Sequence, residues 1–196
     1  GGELCTNRYV KMKNPRDLYI ITTARKRDTL EWESEFGPFL ITTNPEVSLY
    51  SHRVVVDSWN NIQKYKNVYG AFFIFDEQRV VGKGAWVKAF LDIARKNKWI
   101  LLSATPGDKW EDYRPVFLAN GFYKNKTEFD REHIIYNPRV KFPKVDRYIN
   151  TGRLIRYRND ILVDMDFKRI TESHHEYIFT QYDLAAYKSI GRDRWN

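Results

Sequence analysis

An acidic pair follows an apolar run near the middle of the chain. Ala71-Phe-Phe-Ile-Phe75 continues directly into Asp76-Glu77-Gln78-Arg79. A buried strand would fix this backbone and project the carboxylates from its carboxyl end. Such a pair suits nucleotide hydrolysis, in which one carboxylate holds Mg²⁺ through water and the next orients or deprotonates the attacking water. Taken alone, an acidic pair just after a strand is more often a solvated loop, so a second feature is needed.

The second feature is an apolar run that ends in small hydroxyl residues, Ile100-Leu-Leu-Ser-Ala-Thr-Pro106. It follows the acidic pair after one helical segment. In a parallel sheet both runs would end at the same edge, where functional loops gather. Ser103 and Thr105 could there hydrogen-bond the carboxylates and sense bound phosphate. A turn begun by Thr-Pro-Gly is the alternative.

The elements that must position these groups alternate along the first two-thirds of the chain. The strands are continuously apolar, which is typical of a parallel sheet buried on both faces. The sequence therefore predicts an α/β fold: a doubly wound, mainly parallel sheet with helices on both faces. The predicted strands are 18–23, 53–57, 71–75 and 99–102. The predicted helices are 25–36, 58–65, 86–96 and 113–120. Ser58 is the predicted cap of the second helix, and Gly121 is the predicted C-terminal cap of the fourth.

Strand, Asp-Glu-x-x, helix, strand, Ser-Ala-Thr resembles the superfamily 2 helicases and translocases, in the form common to Snf2-like and phage DEAD/DEAH-type branches. Asp76-Glu77-Gln78-Arg79 matches motif II, and Ser103-Ala104-Thr105 matches motif III. The resemblance covers roughly residues 18–123 and implies a RecA-like fold. It implies that Asp76 coordinates Mg²⁺ through water and that Glu77 is the catalytic base. Ser103 and Thr105 would couple the nucleotide site to the nucleic acid.

Ile20-Ile-Thr-Thr-Ala-Arg25 is similar to motif Ia of this family. The similarity implies that Thr22, Thr23, Arg25 and Lys26 bind the backbone of the tracked strand. For the two basic residues, a solvated helix start is the alternative.

Val56-Asp57-Ser58-Trp59 resembles motif Ib. The resemblance implies that Ser58, Trp59 and Asn60 touch nucleic acid. A place in the hydrophobic core is the alternative for Trp59.

The family's phosphate-binding loop, Gly-x-Gly-Lys followed by Thr or Ser, does not occur in this sequence. Gly82-Lys83-Gly84 follows motif II and lacks the required ending, so it predicts a surface loop or a nucleic-acid contact. ATP and Mg²⁺ are therefore expected cofactors of an intact motor, and little hydrolysis is expected from this chain alone. We expect either an excised piece of a helicase or a natural partial protein. The alternative function is a non-catalytic nucleic-acid-binding or inhibitory module.

The expected organisation is a partial motor domain over residues 1–123 and a basic extension over residues 124–196, leading toward a missing second motor domain. Residues 124–158 predict an irregular stretch or a flap. Residues 161–167 predict one more strand, and residues 183–189 predict a helix.

The net charge of +8 favours a polyanionic partner, and the resemblance favours DNA over RNA. Basic side chains with interleaved aromatic rings suit single-stranded nucleic acid, although a solvated, twisted hairpin has the same composition. The segment with this pattern contains Arg139, Lys141, Lys144, Arg147, Tyr148, Arg153, Arg156, Tyr157 and Arg158.

The sequence lacks the residues that a disulfide, a metal cluster or a membrane span would require. Cys5 is the single cysteine, which excludes an internal disulfide and a thiolate metal cluster. None of the four histidines has a partner at ligand spacing, so no zinc site is expected. No apolar run approaches the roughly 20 residues that span a bilayer, so no membrane partner is expected. A single cysteine fits a reducing cytosol, and the resemblance to the superfamily 2 motors implies the cytoplasm of a bacterial or phage-infected cell.

Overall fold

A computed structural model describes residues 2–12, 16–48, 52–76, 84–103 and 107–162. The predicted helix 183–189 and most of the predicted strand 161–167 lie outside these ranges. Within the described ranges, no helix is both long enough and apolar enough to cross a lipid bilayer.

Four parallel strands form the main sheet, which confirms the α/β class. They are β1 (Leu18–Thr22), β2 (Val54–Ser58), β3 (Phe72–Phe75) and β4 (Lys98–Leu101). Their order across the sheet is β2-β1-β3-β4, with Leu18 opposite both Val54 and Phe72. The central strands β1 and β3 are buried at every position, as their continuous apolar runs predict.

Helices cover both faces of the sheet because alternate strand residues point to opposite sides. Leu18 and Ile20 face one side, where α1 (Gly2–Val10), α3 (Glu31–Phe36) and the 3-10 helix Gly37–Phe39 lie. Tyr19 and Ile21 face the other side, which is covered by the 3-10 helix Trp59–Tyr65 and by α4 (Ala85–Ala94).

The predicted helix 25–36 is wrong as a single helix. The structure has α2 (Ala24–Asp28) and α3, separated at Thr29 and Leu30, and Leu30 has a left-handed backbone with φ 54°. In one straight helix, Leu30 and Trp32 would point about 200° apart, so both could not face the core. The break leaves Leu30 57% exposed and buries Trp32 and Phe36, which are one turn apart.

Helix α5 (Trp110–Ala119) ends at the predicted glycine. Gly121 has φ +77°, its N–H donates to the carbonyl of Leu118 at 3.0 Å, and the N–H of Phe122 donates to Phe117 at 3.1 Å. This pair of bonds is the Schellman arrangement, in which a left-handed residue ends the helix. The Gly121 prediction is confirmed.

Residues 126–161 are more regular than the predicted flap. Helix α6 (Lys126–His133) continues into the antiparallel hairpin of β5 (Ile134–Tyr136) and β6 (Val145–Tyr148), and α7 (Thr151–Ile161) follows. Helices α5 to α7 and the hairpin share a separate apolar cluster around Phe117, Phe129 and Leu154. Hydrophobic periodicity along the sequence does not predict this region. Most of its apolar residues are aromatic, and they pack against residues of other helices and strands.

His133 lies in this cluster and is fully buried. Its Nδ1–H donates to the carbonyl of Ile149 at 3.0 Å, which leaves Nε2 to accept from the Tyr123 hydroxyl at 2.6 Å. Burial raises the pKa of Tyr123 to about 12, so this hydroxyl keeps its proton. The histidine therefore has a structural role, because both ring nitrogens are bonded within the protein.

Candidate functional site

The carboxyl ends of β1 and β3 lie side by side in the sheet. The helices associated with these two strands pack on opposite faces of the sheet. Helix α3, which follows β1, packs on one face of the sheet, whereas α4, the first described helix after β3, packs on the other. Neighbouring parallel strands with oppositely directed exits form a crevice, and this is where α/β sheets bind ligands. Thr22 ends β1 and Asp76 directly follows β3 at this crevice.

The Asp76 carboxylate is held by three side-chain donors. Its Oδ2 accepts from the Thr22 hydroxyl at 2.9 Å, the Trp32 indole N–H at 3.0 Å and the Lys26 ammonium at 3.1 Å. The residue is only 6% exposed, so these bonds offset the cost of burying its charge. The carboxylate orientation is therefore set by residues from β1, α2 and α3.

The backbone of Asp76 is held as firmly as its side chain. Its N–H donates to the carbonyl of Ile21 at 2.8 Å, and its carbonyl accepts from the Trp59 indole at 2.9 Å. The Trp59 ring stacks against Phe75 with 5.6 Å between ring centroids. Trp32 and Trp59 thus approach Asp76 from opposite faces of the sheet.

Helix α2 supplies cations to both strands that flank β1. Thr23 caps this helix by accepting the Lys26 N–H at 3.3 Å. The next residue, Arg27, reaches the end of β2, where its guanidinium lies 3.2 Å from Asp57 Oδ1. Lys26 and Arg27 therefore pair with carboxylates at the ends of β3 and β2, respectively.

Asp57 has its own set of donors. Its carboxylate accepts from the Tyr65 hydroxyl at 2.6 Å, from Asn61 at 2.8 Å and from the Ser58 N–H at 2.7 Å, besides Arg27. Burial alone would raise the pKa of Asp57, but these hydrogen bonds outweigh it and the pKa is lowered. Burial and the bond to Asp57 raise the pKa of the Tyr65 hydroxyl. At neutral pH the carboxylate is thus ionised.

The residues that resemble motif Ib lie at different depths. Ser58 stands before the 3-10 helix, but its hydroxyl accepts from Arg27 at 3.3 Å instead of capping that helix. The Trp59 side chain is 2% exposed, which agrees with the core alternative left open by the sequence. Asn60 is exposed.

Three of the four residues that resemble motif Ia are engaged within the protein. Thr22 and Lys26 contact Asp76, and Thr23 caps α2. Arg25 is exposed on the same helix.

The residues of motifs II and III are described in part. Asp76 is described, whereas Glu77 lies outside the described residues. Ser103 is half-buried just beyond β4, whose Leu101 pairs with Phe75, so it stands at the strand end next to Asp76. Thr105 lies outside the described residues, as do Gly82 and Lys83.

Sequence reasoning missed Trp32, Arg27 and Asp57 as parts of this crevice. Trp32 lies in the predicted helix 25–36, and no motif marks it. Asp57 belongs to the segment that resembles motif Ib, and this was the one available signal. The bonds of Trp32 and Arg27 span 44 and 30 residues, respectively, which local patterns do not record.

Among the described residues, metal binding at this crevice would rest on the single carboxylate of Asp76. Among the residues that the structure describes, no group of three or more His, Cys, Asp or Glu could hold a metal ion. Mg²⁺ commonly keeps several waters and uses one or two carboxylates together with substrate phosphates. Asp76 would bind Mg²⁺ only in that water-mediated mode, because within the described ranges it is not part of a group of protein ligands.

Comparison with known proteins finds no relative: no family model matches the sequence, no curated protein matches it, and no solved structure matches its fold. The resemblance to superfamily 2 motors therefore remains a prediction carried by the residues quoted for motifs II and III. The observations that bear on it are the strand order and the contacts around Asp76.

Proposed function

We propose that this chain is part of an ATP-dependent nucleic-acid helicase or translocase motor with a RecA-like fold. The observation that carries the proposal is the adjacency of β1, β3 and β4. These parallel strands end at Thr22, Phe75 and Leu101. The segments that resemble motifs Ia, II and III thus leave one edge of the sheet side by side, as a shared nucleotide site requires.

In this proposal Asp76 holds Mg²⁺ through water and Glu77 acts as the base. The metal would supply charge neutralisation for phosphoryl transfer. The chain's own contribution is positioning, because Thr22 and Trp32 fix Asp76 Oδ2 by hydrogen bonds. Lys26 adds positive charge beside that oxygen.

A motor of this kind also needs a phosphate cradle, and these 196 residues contain no Gly-Lys-Thr or Gly-Lys-Ser loop. The proposal therefore requires that the loop come from other residues, in the same polypeptide or in another one. We expect the chain alone to show no nucleic-acid-stimulated ATP hydrolysis.

The test compares variants of a polypeptide that unites this chain with such a loop. Glu77→Gln should lower DNA-stimulated hydrolysis by about 100-fold or more, the usual effect of removing a catalytic base. Asp76→Asn should also lower it, because the variant loses the carboxylate charge that would hold Mg²⁺. Asp160→Asn, at an exposed position on α7, is the matched control and should leave hydrolysis unchanged. Unchanged hydrolysis in Glu77→Gln would show that the base is assigned to the wrong residue.

The second candidate is a non-catalytic nucleic-acid-binding or inhibitory module. The ion pair between Lys26 and Asp76, with 3.1 Å between Nζ and Oδ2, favours it because the carboxylate already has a cationic partner. A module would bind nucleic acid with an affinity that Mg-ATP does not change. A motor component joined to its phosphate loop would show ATP-dependent affinity.

A further inference from the structure

The turn of the β5–β6 hairpin, residues 137–144, has an unusual surface. Its sequence is Asn-Pro-Arg-Val-Lys-Phe-Pro-Lys, with three cations and no acidic residue. The Asn137 N–H donates to the Lys144 carbonyl at 2.8 Å and closes the turn. Pro138 and Pro143 restrict its backbone, which lowers the entropy lost when a ligand orders it.

The tip of this turn exposes an aromatic ring. Phe142 is 76% exposed, between Lys141 and Pro143, and the neighbouring Val140 is also exposed. A large apolar side chain among cations gains nothing from folding at this position, since its surface stays in water. The exposed ring of Phe142 is therefore available for contact with another molecule.

The turn differs from the rest of the basic segment in how its charges are used. Arg147 pairs with Asp146 at 3.2 Å, Arg153 pairs with Glu132, Arg156 lies over the Tyr157 ring and Arg158 lies over Trp110. Among the described residues, by contrast, no carboxylate lies within 4.0 Å of the charged groups of Arg139, Lys141 or Lys144. These three cations face solvent and are available to phosphates.

We propose that the hairpin turn 137–144 binds single-stranded nucleic acid, with Phe142 stacking on a base and Arg139, Lys141 and Lys144 pairing with the flanking phosphates. Interleaved cations and an exposed ring are the chemistry of single-strand recognition. A duplex offers phosphates but keeps its bases covered by their neighbours. This surface does not include Asp76, so the inference stands even if the proposed ATPase site is wrong.

The test measures binding of the full chain, without ATP, to a fluorescent thymidine strand of about 15 nucleotides, a length that covers one typical single-strand site. The same sequence as a duplex is measured in parallel across a salt series. Phe142→Ala should weaken single-strand binding about tenfold, the order expected for one lost base stack, and Phe142→Trp should restore it. Tyr69→Ala is the matched control, because Tyr69 is 83% exposed in another loop.

The lysines are tested through the salt dependence. Replacing Lys141 and Lys144 by Gln together should lower the magnitude of the slope of log K against log salt by about 0.7 for each lost phosphate contact. The matched double variant Lys64→Gln with Lys98→Gln, at exposed positions outside the turn, should keep the wild-type slope. Thermal melts of all variants should coincide, because the replaced side chains are exposed.

Several outcomes would overturn the inference. They are equal binding by Phe142→Ala and wild type, duplex binding as tight as single-strand binding, and no binding of the strand by the wild type at low salt. Binding only to vesicles of phosphatidylcholine and phosphatidylserine in equal parts would assign the turn to an anionic membrane surface instead.

Discussion

At the scale of single residues, Asp76 depends on donors that are distant in sequence. Thr22, Lys26 and Trp32 lie 54, 50 and 44 positions before it. All three donors bond to the same oxygen, so the carboxylate links the sheet to helices α2 and α3. Its removal should therefore affect folding as well as any chemistry at the crevice.

We expect Asp76→Ala to lower the free energy of unfolding by about 2–4 kcal/mol, since it leaves a buried hydroxyl and indole N–H without their acceptor. Asp76→Asn keeps an acceptor oxygen and should cost only about 1–2 kcal/mol. Urea unfolding followed by far-UV circular dichroism measures both. Equal, small losses in the two variants would mean that water replaces the carboxylate at this position.

Asp57 predicts a pH dependence of stability. The pKa of Asp57 is lowered in the folded protein, so its ionised form stabilises the fold above the ordinary aspartate pKa. That contribution is lost as the pH falls below about 4. Asp57→Asn should thus be less stable than wild type by about 1–2 kcal/mol at pH 7, and the difference should shrink in acid. Denaturant titrations from pH 7 to pH 3 check this, and a constant difference would contradict it.

At the scale of elements, the backbone conformation between two helices determines which side chains reach the crevice. The left-handed Leu30 separates α2 from α3, so Lys26 and Trp32 reach Asp76 from two different helices. A continuous helix would direct these residues to different sides. The break thus connects a local conformation to the geometry of the candidate site.

Gly121 provides a test of helix termination. Its φ of +77° disfavours a side chain, although no atom lies within 4 Å of an added Cβ. Gly121→Ala should therefore lower the free energy of unfolding by about 1 kcal/mol through backbone strain alone. Gly37→Ala is the matched control, since Gly37 has φ −51° and equally open space, and it should be neutral or stabilising. Thermal melts compare the two, and equal effects would exclude the backbone explanation.

At the scale of the whole molecule, the described residues form three apolar clusters. Two lie on opposite faces of the parallel sheet, and the third joins α5, α6, α7 and the hairpin. Helix α1 belongs to the cluster on the α3 face through Cys5 and Tyr9. The stability of this face therefore includes the docking of α1.

Cys5 reports on that docking. The thiol is 2% exposed, and burial raises its pKa to about 11. At pH 8 we expect alkylation of the native protein to be at least about 100-fold slower than that of the unfolded chain, because the thiolate is the nucleophile. The labelling rate should rise with urea as steeply as global unfolding does. A rate independent of urea would show instead that α1 leaves the sheet by a local opening.

The sequence alone determined the α/β class, the parallel strands and the end of α5, since each depends on local features. Continuous apolar runs require burial on both faces, and Gly121 tolerates the left-handed backbone that ends a helix. The position of Asp76 at a strand end was also readable, because an apolar run stops there. The domain boundary near residue 123 and the roles of Asp76, Glu77, Ser103 and Thr105 remain predictions.

Only the tertiary structure decided which partners each charged group has. Lys26 pairs with Asp76, and Arg27 pairs with Asp57, because β1 lies between β2 and β3. Most arginines of the basic segment are engaged within the protein, whereas the hairpin turn leaves its cations facing solvent. Charge and burial at a residue depend on elements that are remote in sequence, so local composition identifies the chemistry available but not where it is exposed.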